Sequence, residues 1–205
     1  MILKSETPIY GKNYRIGYIG FQFTSDSLLS NGVAYFARWD RMSDIRVSHC
    51  FVVVGANQGC EALADKNKVS LSDLSPRFND PHCLVFFRQP RGWTLGIGAD
   101  IAKTAKGCVG DRYDRSLIAG HLAVNLWLVR RLMSKGSHRQ FEDWFLKKCD
   151  SKEEWICSEL CAYALDEQEE YRDKGVLARP NYCVKPQALF EDQEIFEPWK
   201  EGVGE

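Results

Sequence analysis

Cys157 stands where a short apolar lead-in, Trp155-Ile156, runs into the strongly helical segment Cys157-Ser158-Glu159-Leu160-Cys161-Ala162-Tyr163-Ala164-Leu165. The first turn of a helix presents unpaired backbone N–H groups and the positive end of the helix dipole, and both favour thiolate over thiol. The spacing makes Cys157 a candidate nucleophile. A base is offered far upstream by Val47-Ser48-His49-Cys50-Phe51-Val52-Val53-Val54-Gly55, where His49 sits at the mouth of an apolar strand. An imidazole within reach takes the thiol proton, stabilises the thiolate as imidazolium and later protonates the leaving group. A third group should fix the ring. Glu61 lies on the strand expected to return antiparallel after the turn Ala56-Asn57-Gln58-Gly59.

Each residue also has a plainer reading. Buried core packing is the ordinary fate of cysteine, and Leu160 and Cys161 share the face of Cys157. Cys161 is assigned to the core. His49 also reads as a ring satisfied by backbone at a strand edge, and Glu61 as a solvated carboxylate at a strand end. His82, His121 and His138 lack comparable context and receive no role. Zinc is the chemical rival, but the chain has no Cys-x-x-Cys and no regular Cys/His spacing, so no metal and no cofactor is expected. Phosphate-binding glycine loops, serine-nucleophile elbows and EF-hand loops are missing too.

The order of these pieces resembles a known family. Gly17-Tyr18-Ile19-Gly20-Phe21-Gln22-Phe23, then Ser48-His49 with its strand, Glu61-Ala62 after a turn, Gly110-Asp111-Arg112-Tyr113-Asp114, and Cys157-Ser158-Glu159-Leu160 together look like the circularly permuted papain-like enzymes of the NlpC superfamily, the YiiX-like group. In that group the histidine strand precedes the cysteine helix. The resemblance covers most of the chain and implies Glu61 as the residue that orients His49. It also implies a Tyr-Asp pair near the site, which makes Tyr113 a candidate second oxyanion donor beside the backbone N–H of Cys157. Tyr113 reads equally as a packing residue, and Asp114 as the cap of a helix that begins near Arg115.

At 205 residues the chain suits one well-cored domain. A net charge of -1 and a pI of about 6.4 give no global field for nucleic acid or anionic membrane. The start, Met1 to Pro8, lacks the apolar core of a signal peptide, so a cytoplasmic protein with its eight cysteines reduced is expected. Ser116 to Met133, the most apolar stretch, contains Gly120, His121, Asn125, Arg130 and Arg131 and reads as a core helix; no integral membrane segment is expected.

Arg15 to Phe23 alternates as a strand, with Gly17 and Gly20 allowing close backbone approach. Thr24-Ser25-Asp26-Ser27 offers caps for a helix over Leu28 to Trp39. Val47 to Gly55 and Cys83 to Arg88 read as central strands, with Leu71 to Pro76 a short connection. Helices are expected from Trp93 to Gly107, Arg115 to Met133, Gln140 to Lys148 and Cys157 to Glu169. An alternative capping box at Ser151-Lys152-Glu153-Glu154 would start the last one earlier and weaken the case for a lowered thiol pKa. Trp127 and Phe141 are expected to pack, and the proline-bearing tail from Arg179 to Phe190 to lie as an extended strap.

The expected fold class is α+β: a papain-like core in permuted order, with an antiparallel sheet packed against the helix carrying Cys157. It forms one domain over 1–205, with a helical insertion at about 93–148 that serves as lid or specificity wall. The expected activity is a cysteine amidase or peptidase working through a thioester, with Cys157 attacking, His49 moving the proton and Glu61 orienting it. The resemblance implies peptide-like, amide or lipid-bearing small substrates. Two alternatives stand beside it: an acyltransferase using the same pair, and a non-catalytic interaction or structural protein, such as part of a phage particle, that retains the fold. Oligomeric state is left open.

Overall fold

A computed structural model describes residues 7–36, 41–125, 131, 135–151 and 154–198. Its centre is a hairpin: β2 (His49–Gly55) turns through Ala56 and Asn57 into β3 (Gln58–Leu63). Asn57 takes a φ of 53°, a left-handed conformation that closes the turn and that asparagine tolerates. β1 (Ile19–Thr24) flanks β2, and β5 (Cys83–Arg88) lies beyond β1; on the other side β4 (Lys68–Asp73) pairs with β3. Two short strands, β6 (Arg112–Tyr113) and β7 (Glu154–Trp155), complete the order β5-β1-β2-β3-β4-β6-β7. Every pairing is antiparallel except β6 with β7. The molecule is mixed α and β, with seven strands among the described residues.

From Cys50 to Val54 β2 is apolar, and both its faces are covered. Cys50, Val52 and Val54 enter the main core, while Phe51 and Val53 join Tyr14 and Leu74 in a second cluster. Helices α1 (Leu28–Phe36), α2 (Ser75–Asn79), α3 (Leu95–Gly107), α4 (Arg115–Val124) and α5 (Lys135–Cys149) precede the cysteine helix α6 (Cys157–Asp166), and α7 (Pro186–Glu191) follows it. α3 is capped by Thr94, whose Oγ1 accepts from Ile97 N at 3.2 Å, and packs Ile101, Ala102 and Ala105 into the core beside β2, β3 and α6. Asp114 caps α4, accepting from Leu117 N at 2.7 Å. No described helix is long and apolar enough to cross a membrane.

Four expectations need correction. Leu71–Asp73 belongs to β4, whose residues pair from Lys68 opposite Leu63 to Asp73 opposite Gln58; its alternation of Val69 and Leu71 with serines is too short and polar to stand out. β5 is an edge strand with no further strand beyond it among the described residues; Phe86 lies 5.8 Å from Phe190, and Val85 and Phe87 pack on the second cluster. The tail is helical where a strap was expected: Gly175–Ala178 and Asn181–Cys183 are 3-10 turns, and Pro186 opens α7, since a proline lacking N–H is well placed in a first turn. α5 begins five residues earlier than expected, at Lys135.

Of the helix expected over Leu28 to Trp39, the part beyond Phe36 lies outside the described residues, as do Trp127 and most of the stretch after Asn125. Phe141 packs on Phe145 at 5.7 Å and against the main core, as expected.

Gly17 and Gly20 show why glycine is needed before and within β1. Gly17 has a φ of +81°, and a Cβ there would collide with the backbone of Gly98 on α3. A Cβ on Gly20 would enter the Phe51 ring. Gly17→Ala should therefore cost about 2–3 kcal/mol, combining left-handed strain with overpacking. Urea unfolding would register this as a lower midpoint at unchanged slope.

Candidate active site

Three attachments bring the cysteine helix to the histidine strand. β7 lies parallel to β6, Tyr113 opposite Trp155, and Asp114 N donates to Trp155 O at 3.0 Å, so the residues just before Cys157 are fixed to the sheet. α6 therefore starts at Cys157, not at Ser151, because Glu154 and Trp155 are extended. The tail supplies the other two. Ser158 Oγ donates to Val184 O at 2.7 Å, and Gln187 Oε1 accepts from Val47 N at 3.0 Å, so one segment holds both the first turn of α6 and the approach to His49.

These attachments bring the Cys157 thiol and the His49 imidazole close enough for each to shift the other's pKa. On its other side the ring is held by Glu61, whose Oε2 lies 2.5 Å from His49 Nε2. Glu61 is fully buried, and its second oxygen, Oε1, accepts from Arg77 Nη2 at 2.5 Å. Arg77 lies on α2 with its guanidinium 5.2 Å from the centre of the Phe51 ring. The result is a chain of alternating charge, sulfur to imidazole to carboxylate to guanidinium.

Electrostatics follow from that order. The Cys157 pKa lies well below the ordinary thiol value: the Cys50 thiol donates to its sulfur, and the His49 charge and hydrogen bond add to this, against the cost of burial. Burial pulls His49 down, but the neighbouring Cys157 and Glu61 outweigh it and raise the ring to about 10. Glu61, which burial alone would raise, is held at about 2 by His49 and Arg77. Glu159, in the first turn of α6, moves the other way: burial and nearby Asp150 raise it to about 8. A carboxyl group kept protonated there at neutral pH removes the negative charge that would otherwise oppose a thiolate at the same helix end.

Tyr113 is 6% exposed and close enough to Cys157 to feel its charge. Burial, then the charges of Cys157 and Asp114, push its phenol far above the ordinary value, so it stays a neutral donor. Cys161 is fully buried in the core, as expected. Among the described residues, no group of three or more His, Cys, Asp or Glu side chains is arranged to hold a metal ion.

A narrow cleft with an interior of about 50 Å³ adjoins Cys157. One wall is aliphatic, with Val33 from α1 and Ile118 and Leu122 from α4; His121, Asn125 and Lys185 line the polar part. Such a thiolate can attack an electrophilic carbonyl held in the cleft, with a proton donor beside it.

The chain matches no family model, no curated protein and no solved structure.

Cys157, His49, Glu61 and Tyr113 thus gather in one place. Arg77, which bonds to Glu61, and His121, which lines the cleft, were not expected there. Pro76 just inside a short helix was the available signal for α2, but nothing in Ser75-Pro76-Arg77 points toward Glu61. His121 sits in a run that reads as core packing.

Proposed function

We propose that the protein is a thiol hydrolase acting on an amide or related acyl bond, built on a papain-like core in permuted order within a single domain. The observation that carries this reading is the linked set Cys157–His49–Glu61, with the sulfur on an apolar cleft. Cys157 Sγ bonds to the carbonyl carbon, and the electron pair moves to the oxygen, which the Cys157 backbone N–H and the Tyr113 phenol are suited to receive. The C–N bond breaks as His49 gives its proton to the departing nitrogen. Water then adds to the thioester, His49 takes its proton, and the thiolate is released with a carboxylic acid as product.

A p-nitrophenyl ester tests this directly. One equivalent of nitrophenolate should appear in a burst, with a matching acyl mass on the Cys157 peptide, and both should vanish in Cys157→Ala and His49→Ala. Acylation that persists in His49→Ala would favour a protein that keeps the fold without the activity. Diversion of the acyl group to an added amine or alcohol in preference to water would favour the acyltransferase alternative, which the same geometry serves.

A further inference from the structure

The polar part of the cleft holds a histidine with an unused acceptor. His121 Nε2 lies 2.8 Å from Tyr182 O, and because a carbonyl can only accept, Nε2 carries the proton. Nδ1 of the neutral ring is then an acceptor, and it is buried without a hydrogen-bond partner among the described residues. Leaving such an acceptor unpaired is costly, which is why such atoms in folded proteins are almost always satisfied. The ring stays neutral at physiological pH: burial, then the positive charge of Lys185, lowers its pKa to about 4. Lys185 is itself occupied, with Nζ 2.8 Å from Glu142 Oε1 and 3.3 Å from Asn125 Oδ1.

These neighbours limit what His121 can recognise. An acceptor at Nδ1 needs a donor from the ligand. The positive charge of Lys185 disfavours an ammonium beside it, so the donor is neutral. The aliphatic wall of Val33, Ile118 and Leu122 calls for an apolar body attached to that donor.

We propose that His121 is a specificity residue: its Nδ1 accepts a hydrogen bond from a neutral N–H or O–H on the acyl portion of the substrate, whose aliphatic body lies against Val33, Ile118 and Leu122. The substrate class is an acylated aliphatic amino acid or its hydroxy counterpart, in preference to a plain fatty acyl group. This rests on the thiol-hydrolase reading of Cys157.

Three p-nitrophenyl esters of one carbon skeleton test it: 4-methylpentanoyl, N-acetyl-leucyl and 2-hydroxy-4-methylpentanoyl. Each kcat/KM is divided by the ester's rate with hydroxide, which removes intrinsic reactivity. The wild-type protein should favour at least one donor-bearing ester over the plain one by about 10- to 100-fold, the worth of one buried hydrogen bond. The amide and hydroxy arms show which donor the site takes. In His121→Leu the preference should fall to about 1- to 3-fold, and His121→Asn, which keeps an acceptor, should restore part of it. Iodoacetamide labelling of Cys157 in each variant reports that the site is still assembled. A Cys157-dependent turnover with no preference in wild type, or a preference unchanged in His121→Leu, overturns the proposal and leaves the hydrolase reading standing. No Cys157-dependent turnover of any ester overturns both.

Discussion

At pH 6, iodoacetamide should alkylate Cys157 ahead of the other seven cysteines by on the order of 10- to 100-fold, and replacing His49 with Ala should erase that lead. An ordinary thiol is roughly 0.3% thiolate at pH 6, so a sulfur already ionised there starts with an advantage of several hundredfold. Part of it is lost because nucleophilicity falls with pKa. Cys157 is only 5% exposed, which slows the reagent further, but the cleft gives it a path to the sulfur. Cys50, Cys60, Cys83, Cys108, Cys161 and Cys183 are buried, and burial raises Cys60, Cys108 and Cys183 above the usual thiol value. Cys149 is the most accessible competitor; its thiol is also raised, so its labelling should rise steeply with pH and approach that of Cys157 only in alkaline solution.

The profile of Cys157 itself should be flat from pH 6 to 9. The ion pair with His49 persists until pH passes the imidazolium value of about 10, where the ring loses its proton and its hold on the thiolate weakens. Peptide mapping at pH 6 and pH 9 reads both effects. Uniform labelling of all eight thiols at pH 6 would remove the case for an activated sulfur.

What could be read from the residue order, and what could not, divides along physical lines. β2, the hairpin turn at Asn57 and the start of α6 were legible because each rests on a local signal: a run of β-branched residues, a residue that tolerates positive φ, and an abrupt onset of helix formers. Cys157 and His49 were then paired by chemical type and by the motif order that resembles a known family, and Glu61 was implied by that resemblance from its place on the returning strand. The partners that tie the site together were not legible. Arg77 reaches Glu61 from a five-residue helix, and Ser158 and Gln187 act through backbone groups of Val184 and Val47. No periodicity reports a contact of that kind. β6 and β7 are two residues each, below the length at which alternation can be recognised, yet their pairing sets where the nucleophile stands.

Arg77 should be worth nearly as much as the residues proposed to carry out the reaction. Glu61 is fully buried with one carboxylate oxygen on His49 and the other on Arg77, so Arg77→Met leaves it with a single partner. Breaking a buried pair from one side costs about 3–5 kcal/mol, because the remaining charge stays desolvated. The Glu61 carboxyl group should rise from about 2 toward the ordinary range, and its hold on His49 should loosen. Glu61→Gln acts on the same chain from the middle. It strands Arg77, removes the charge that favours imidazolium, and should reduce acylation of Cys157 by about 10²- to 10⁴-fold, the range seen when the residue orienting a catalytic histidine is neutralised. The double variant Glu61→Gln/Arg77→Met discriminates between structure and chemistry. With both charges gone, much of the lost stability should return, since neither is left buried alone. The acylation rate should not return with it, because His49 still lacks its carboxylate. Urea unfolding and the nitrophenolate burst, measured on the same four proteins, separate the two effects. Recovery of the rate along with stability would mean that Glu61 serves only to fill and neutralise the space beneath His49.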